Sequence, residues 1–229
     1  MPHSLNHRIL ELALPAFAAL VAQPLFVMAD TAIVGQLGTV PLAGLGVGST
    51  LTLALVGVFV FLAYGSTATV ARLVGANREK DAAESGVQAM WLALVLGAVI
   101  GVVSWGFAPQ LAAWLGADGA VHDQAVAYLR WSLPGLPGMF LVLAATGTLR
   151  GRADGRTPMI LAIGAAILNL VGDIVLVFGL GMGIAGSGAA TAFAETLMGL
   201  TAAGIVAHGA VRAGVGWHPR LAGMRTSLL

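Results

Sequence analysis

Cysteine is absent and charge is scarce in this chain of 229 residues. Without cysteine there is no disulfide, no thiolate metal site and no cysteine nucleophile. Charged residues make up 9%, against roughly 25% in a soluble domain, too few to cover a water-soluble globule of this length. Disorder is excluded for the opposite reason: hydrophobic residues make up 58% and the mean hydropathy is +0.92, far too apolar for an unfolded chain. A net charge of +1 offers no global field for a nucleic-acid partner, and none is expected. No G-x-S-x-G, H-E-x-x-H or Walker motif occurs, and no nucleophile–base pair or metal cluster emerges, so an enzyme is not expected. An ATP-driven pump would need its motor from another chain. His3, His7, His122, His208 and His218 are scattered without metal spacing. Gly181-Met182-Gly183-Ile184-Ala185-Gly186 spells G-x-G-x-x-G, yet it lacks the soluble βαβ unit and the later acid of a dinucleotide site. It reads as a by-product of 32 glycines, about twice the usual share, and no cofactor is expected.

What the chain has in abundance is long apolar runs. A membrane helix needs about 20 mostly apolar residues, and six stretches qualify, near 10–35, 46–71, 86–108, 125–148, 158–180 and 186–210. The first is too long for a secretory h-region and is followed by more membrane, so it reads as an uncleaved span. The expected fold is all-α: a polytopic protein of six transmembrane helices in one bundle, with the lipid bilayer as its solvent. Ten of the eleven cations fall in alternate connectors: Arg8; Arg72, Arg78 and Lys80; Arg150, Arg152 and Arg156; Arg212, Arg220 and Arg225. Arg130 alone lies on the other side. The positive-inside rule then puts both termini in the cytoplasm, with the plasma (inner) membrane as the expected location. Trp105, Trp114 and Trp131 fall near one boundary and Trp217 near the other, as aromatic belts do, whereas Trp91 sits deeper and reads as a packing residue.

The most informative positions are acids inside the spans. An ionised carboxylate at mid-bilayer costs roughly 2.5–3.5 kcal/mol on insertion scales. Asp30 in the first span, Asp173 in the fifth and Glu195 in the sixth have no intramembrane Lys or Arg to pair with. Such a group holds a proton or a cation. Asn169 and Asp173 are four apart and share a helix face; Ser187, Thr191 and Glu195 repeat that spacing on the sixth span. Gln23 lies seven residues before Asp30, again on one face. Three helices thus each carry a polar stripe, and the economical arrangement turns the stripes toward a shared cavity. Asn, Ser and Thr also serve as glue between membrane helices, and Ser187 and Gln23 read that way. For Asp30 and Asp173 the functional reading is stronger, because Asn would pack as well without the charge penalty. Hard oxygen ligands suit H+, Na+ or a similar ion, with no other metal expected. Pro15 and Pro24 each remove a backbone hydrogen bond from the first helix and bend it.

Taken together, these residues resemble the multidrug and toxic compound extrusion (MATE) family, in its DinF-like branch. Leu14-Pro15 and Met28-Ala29-Asp30-Thr31-Ala32-Ile33-Val34-Gly35 resemble the family's opening helix. Val74-Gly75-Ala76-Asn77-Arg78 resembles its first cytoplasmic loop, and Leu149-Arg150-Gly151 through Asp154 and Pro158 its second. Leu168-Asn169-Leu170-Val171-Gly172-Asp173 is similar to its fifth helix, and Gly186-Ser187-Gly188-Ala189-Ala190-Thr191 with Ala194-Glu195 to its sixth. The resemblance covers about 10–210. It implies secondary active efflux of organic, often cationic, small molecules against an inward H+ or Na+ gradient. It also implies that Asp30, Asn169, Asp173 and Thr191 form the cation-coupling site, and that cation binding rebalances the bent first helix. Glu195 and Gln23 are candidates for additional polar cavity. The family has two six-helix lobes, and residues 1–215 correspond to the N-terminal one, with 216–229 a cytoplasmic tail or the start of an interlobe linker. The expected partner is therefore a missing C-terminal lobe or a second copy, with the chain a fragment, a truncated gene or half of a dimer. A lipid-linked oligosaccharide flippase of the same superfamily and a non-transporting membrane fragment are the alternatives. The flippase would need a cationic cavity for pyrophosphate, and the cavity candidates here are acidic.

Overall fold

The computed structural model describes residues 27–219 together with Phe17, Val21 and Pro24. Pro15, Gln23, Arg8, Arg220 and Arg225 lie outside the described residues. Among those described, no strand occurs. The helices are α1 (helical over 27–35, with Phe17, Val21 and Pro24 helical as well), α2 (Thr39–Val58), α3 (Phe61–Gly75), α4 (Glu79–Gly106), α5 (Ala108–Trp114), α6 (Gly119–Ser132), α7 (Leu136–Gly151), α8 (Arg156–Asp173) and α9 (Ile184–Arg212). Five stretches of the described chain are long and apolar enough to cross a bilayer: Thr39–Gly75, Glu79–Gly106, Gly119–Gly151, Arg156–Gly179 and Ile184–Arg212. They coincide with the second to sixth expected spans. The first, 10–35, falls largely outside the described residues.

Three of the spans are interrupted. Thr39–Gly75 breaks at Phe59–Val60, where the Phe59 ring packs on Phe140 of α7 at 4.9 Å between centroids. Gly119–Gly151 passes through a 3-10 turn, Leu133–Gly135, because Pro134 and Pro137 each withhold a backbone N–H. Arg156–Gly179 ends in a π turn, Ile174–Gly179, directly after Asp173; such turns recur at functional sites. The short helix α5, with its proline in the first turn, was not expected from the sequence. The connector expected between the first and second spans shrinks to a turn at 36–38, made by Gly38 at φ 119°.

α7 and α9 form the middle of the bundle. α7 packs on α3, α4 and α9, and α9 on α4, α6 and α8. The α7–α9 crossing is a small-residue contact of the kind membrane helices use in place of hydrophobic drive. A Cβ on Gly138 would lie 2.5 Å from Thr196 Cα, and one on Gly199 2.5 Å from the Gly138 carbonyl oxygen. The two glycines therefore permit a backbone approach that any side chain would prevent.

One end of the bundle gathers the connectors rich in Lys and Arg. Arg152, after α7, pairs with Glu79 at the start of α4 (3.4 Å), and Arg78 pairs with Asp81 (2.7 Å). Asp154 accepts the Thr157 N–H (3.0 Å) and hydroxyl (2.6 Å), satisfying the first turn of α8. The segment after α9 folds back on α4: Gln88 Nε2 donates to the His218 carbonyl (3.0 Å), and the Trp91 and Trp217 rings lie 6.0 Å apart. Trp91 is thus a packing residue, as its depth in the sequence suggested.

The crossing yields a first prediction. Gly199→Leu will separate α7 from α9 and cost about 1–3 kcal/mol through overpacking. Gly204→Leu, at an exposed helical position with open space around it, will leave stability unchanged. Thermal unfolding of the two purified variants in detergent reads the difference.

Candidate functional site

Residues far apart in the chain meet where α1, α6, α8 and α9 converge. Asp30 arrives on α1, Asn169 and Asp173 one turn apart on α8, and Ser187 and Thr191 one turn apart on α9. All five are buried, with exposures of 5%, 1%, 0%, 0% and 3%. The i, i+4 spacing read from the sequence therefore does place each pair on one face, and both faces turn inward. Asn169 is the link. Its amide orientation is decided by its partners, since the reverse would set two acceptor oxygens against each other. Asn169 Nδ2 donates to Asp30 Oδ1 at 2.8 Å, and Asn169 Oδ1 accepts from the Thr191 hydroxyl at 3.1 Å and the Thr191 N–H at 3.2 Å. One amide so joins α1, α8 and α9.

Asp173 is different. Neither of its oxygens, though fully buried, receives a hydrogen bond, and the buried Ser187 hydroxyl is also unbonded. Asp30 and Ser187 are the groups within interaction range of Asp173. Two carboxyls close together in a dry site cannot both stay ionised without a neutralising proton or cation. The ion pairs Arg78–Asp81, His122–Asp123 and Arg152–Glu79 lie at helix starts and in connectors, and no Lys or Arg is among the residues lining the adjoining cavity. Ser187, which read from the sequence as helix glue, lies beside the acid that lacks a donor.

The site opens onto a cavity of about 170 Å³, whose polar lining comes from Asp30, Thr31, Ser49, Thr52, Tyr128, Thr191 and Glu195 and whose walls are aliphatic. Glu195, one turn beyond Thr191, is half-buried at the cavity wall. Every side chain lining the cavity that can carry charge at neutral pH is an acid. Gln23 and Pro15 fall outside the described residues; Pro24 is helical and exposed.

Tyr128 is the site residue the sequence reading missed. It comes from α6 and is 2% exposed. Its phenol stands in the field of Asp30, Asp173 and Glu195, next to the Thr191 hydroxyl. Gly48 of α2 leaves room for the ring, which a Cβ there would strike. The usable signal was a phenol inside an apolar span, four residues before Ser132 on the same face.

An all-helical bundle crossing the bilayer several times, with a buried acid–amide–hydroxyl cluster on a small cavity, defines the chain as a multi-pass membrane protein with a polar site in its interior. The sequence matches the MatE family over residues 15–175, and the chain belongs to that family, whose members are transporters rather than enzymes. It is 34% identical to DNA damage-inducible protein F of Escherichia coli over 186 residues, covering 81% of this chain and 40% of that protein. It is 28% identical to the probable multidrug resistance protein NorM of Thermotoga maritima, covering 82% of this chain and 41% of that protein. Among solved structures, a MOP superfamily transporter from Pyrococcus furiosus superposes with a TM-score of 0.84 at 25% identity, covering 96% of this chain and 50% of that one. The chain spans about half the length of the relatives it matches, so it corresponds to one lobe of the family's two.

The amide link is testable. Asn169→Ala removes the donor to Asp30 and the acceptor for Thr191. Leaving such buried groups unpaired costs about 1–3 kcal/mol, read as a lower melting temperature, whereas Thr201→Ala on the exposed side of α9 will be near neutral.

Proposed function

We propose that this chain is the cation-coupling lobe of a secondary active exporter that moves small organic, often cationic, molecules against an inward H+ or Na+ gradient. The observation that carries this reading is Asp173, a fully buried carboxyl without a hydrogen-bond donor, within interaction range of Asp30. Asp30, Asn169, Asp173 and Thr191 hold the coupling ion, with Na+ or a proton filling the same oxygen-lined site. Glu195 extends the polar wall of the cavity toward the substrate. A bend in α1 at Pro24, and at Pro15, lets ion binding at Asp30 change the helix's shape, so that ion and substrate displace one another. No cofactor enters the cycle. Substrate passage requires a second six-helix lobe, supplied by further chain or by a second copy. The lobe sits in the inner membrane with the Arg- and Lys-rich end in the cytoplasm, as the positive-inside rule directs. The acidic lining favours this reading over a flippase for pyrophosphate-linked lipids, whose cavity would need cations.

The test is efflux of a fluorescent organic cation from cells expressing this lobe joined to its second half. Asp30→Asn and Asp173→Asn will each lower ion-driven efflux by about tenfold or more, equivalent to ~1.4 kcal/mol of coupling, while protein levels hold. Undiminished transport in both variants would falsify the coupling role. Repeating the assay with a pH gradient alone and with a Na+ gradient alone identifies the ion.

A further inference from the structure

A second site lies away from the acidic cluster, at the opposite end of the bundle from the Arg- and Lys-rich connectors. Ala98, Gly101, Val102 and Trp105 of α4 and Leu133, Pro134 and Pro137 at the α6–α7 break enclose an apolar groove of about 320 Å³. The groove follows from the break. Gly101 has no side chain to fill the space beside Leu133, whose carbonyl oxygen would lie 3.3 Å from a Cβ there. Pro134 has no N–H, so the Arg130 carbonyl loses its partner one helical turn on. That carbonyl is taken instead by the Trp105 indole, whose Nε1 donates to it at 3.0 Å. The same bond fixes the backbone of Arg130 beside the Trp105 ring, and the guanidinium carbon lies 5.9 Å from the ring centroid, within cation–π range.

The combination is specific. Arg130 is the one Lys or Arg between Lys80 and Arg150. It is exposed, and none of the ion pairs among the described residues involves it. Trp105 is 49% exposed and stands in the last turn of α4, the level at which indoles mark the membrane–water boundary. An apolar groove thus runs from the hydrocarbon side up to Trp105, over which the Arg130 guanidinium is held at the headgroup level.

We propose that this groove binds one anionic phospholipid, with an acyl chain lying between α4 and the proline break and the lipid phosphate held by Arg130. Charge complementarity selects the occupant: a guanidinium matches a phosphate in geometry and sign, and the groove's wall is apolar. A zwitterionic lipid places its own cation near the same phosphate and competes with Arg130, so it binds more weakly. The site makes no contact with the acidic cavity, and the proposal stands whether or not the lobe transports.

Native mass spectrometry of the purified chain, titrated with phosphatidylglycerol or phosphatidylcholine of equal chain length, tests it. The unaltered chain will retain one phosphatidylglycerol more tightly than any phosphatidylcholine. Arg130→Gln will weaken the phosphatidylglycerol adduct by roughly fivefold, the order expected for one surface cation, and leave phosphatidylcholine unchanged. Ala98→Phe, at an exposed position on the groove wall, will fill the space and weaken both lipids, with an unchanged melting temperature showing that the bundle is intact. Equal retention of the two lipids by the unaltered chain, or full retention of phosphatidylglycerol by either variant, overturns the proposal.

Discussion

A carboxyl group inside hydrocarbon must be given a donor, a proton or a cation, because water cannot reach it. Asp30 receives its donor from Asn169, and Asn169 is in turn held by Thr191. That chain of two contacts ties the first described helix to α8 and α9, and much of the packing follows from it. α9 must pass close enough to α8 for the amide to reach the threonine. It must also pass close to α7, where Gly138 and Gly199 let the backbones touch. Tyr128 enters the same space only because Gly48 leaves its ring room. The high glycine content of the chain is in this sense a condition for the polar site, since bulkier residues at the crossings would hold the polar stripes apart.

Much of the site could be read from the sequence because two simple rules cover it. Intramembrane acids are costly, which singled out Asp30 and Asp173, and helical spacing of four put Asn169 beside Asp173 and Thr191 beside Ser187 and Glu195. Both rules act on residue type and position alone, so no knowledge of packing was needed. What escaped was what depends on a third helix. Tyr128 in an apolar span reads like any packing aromatic until α2 and α9 are placed around it. Ser187 read as glue because a hydroxyl has many uses, and only the burial of Asp173 without a donor gives it another. The helix interruptions escaped for a different reason. Pro134 signals one of them plainly, but the break at Phe59–Val60 contains neither proline nor glycine, and the π turn after Asp173 leaves no mark in hydrophobic periodicity.

The two aspartates are unequally provided for, and the inequality matters more than their shared burial. Asp30 has a neutral amide donating to it. Asp173 has no such amide; its neighbours are the Asp30 carboxyl and the Ser187 hydroxyl. The backbone that carries it is also the least regular nearby, since α8 gives way to a π turn at the next residue. Asn169, one turn earlier in regular helix, is hydrogen-bonded to Asp30 and Thr191. The two polar residues thus lie four apart on one helix, Asn169 within its regular part and Asp173 at the residue just before the π turn begins.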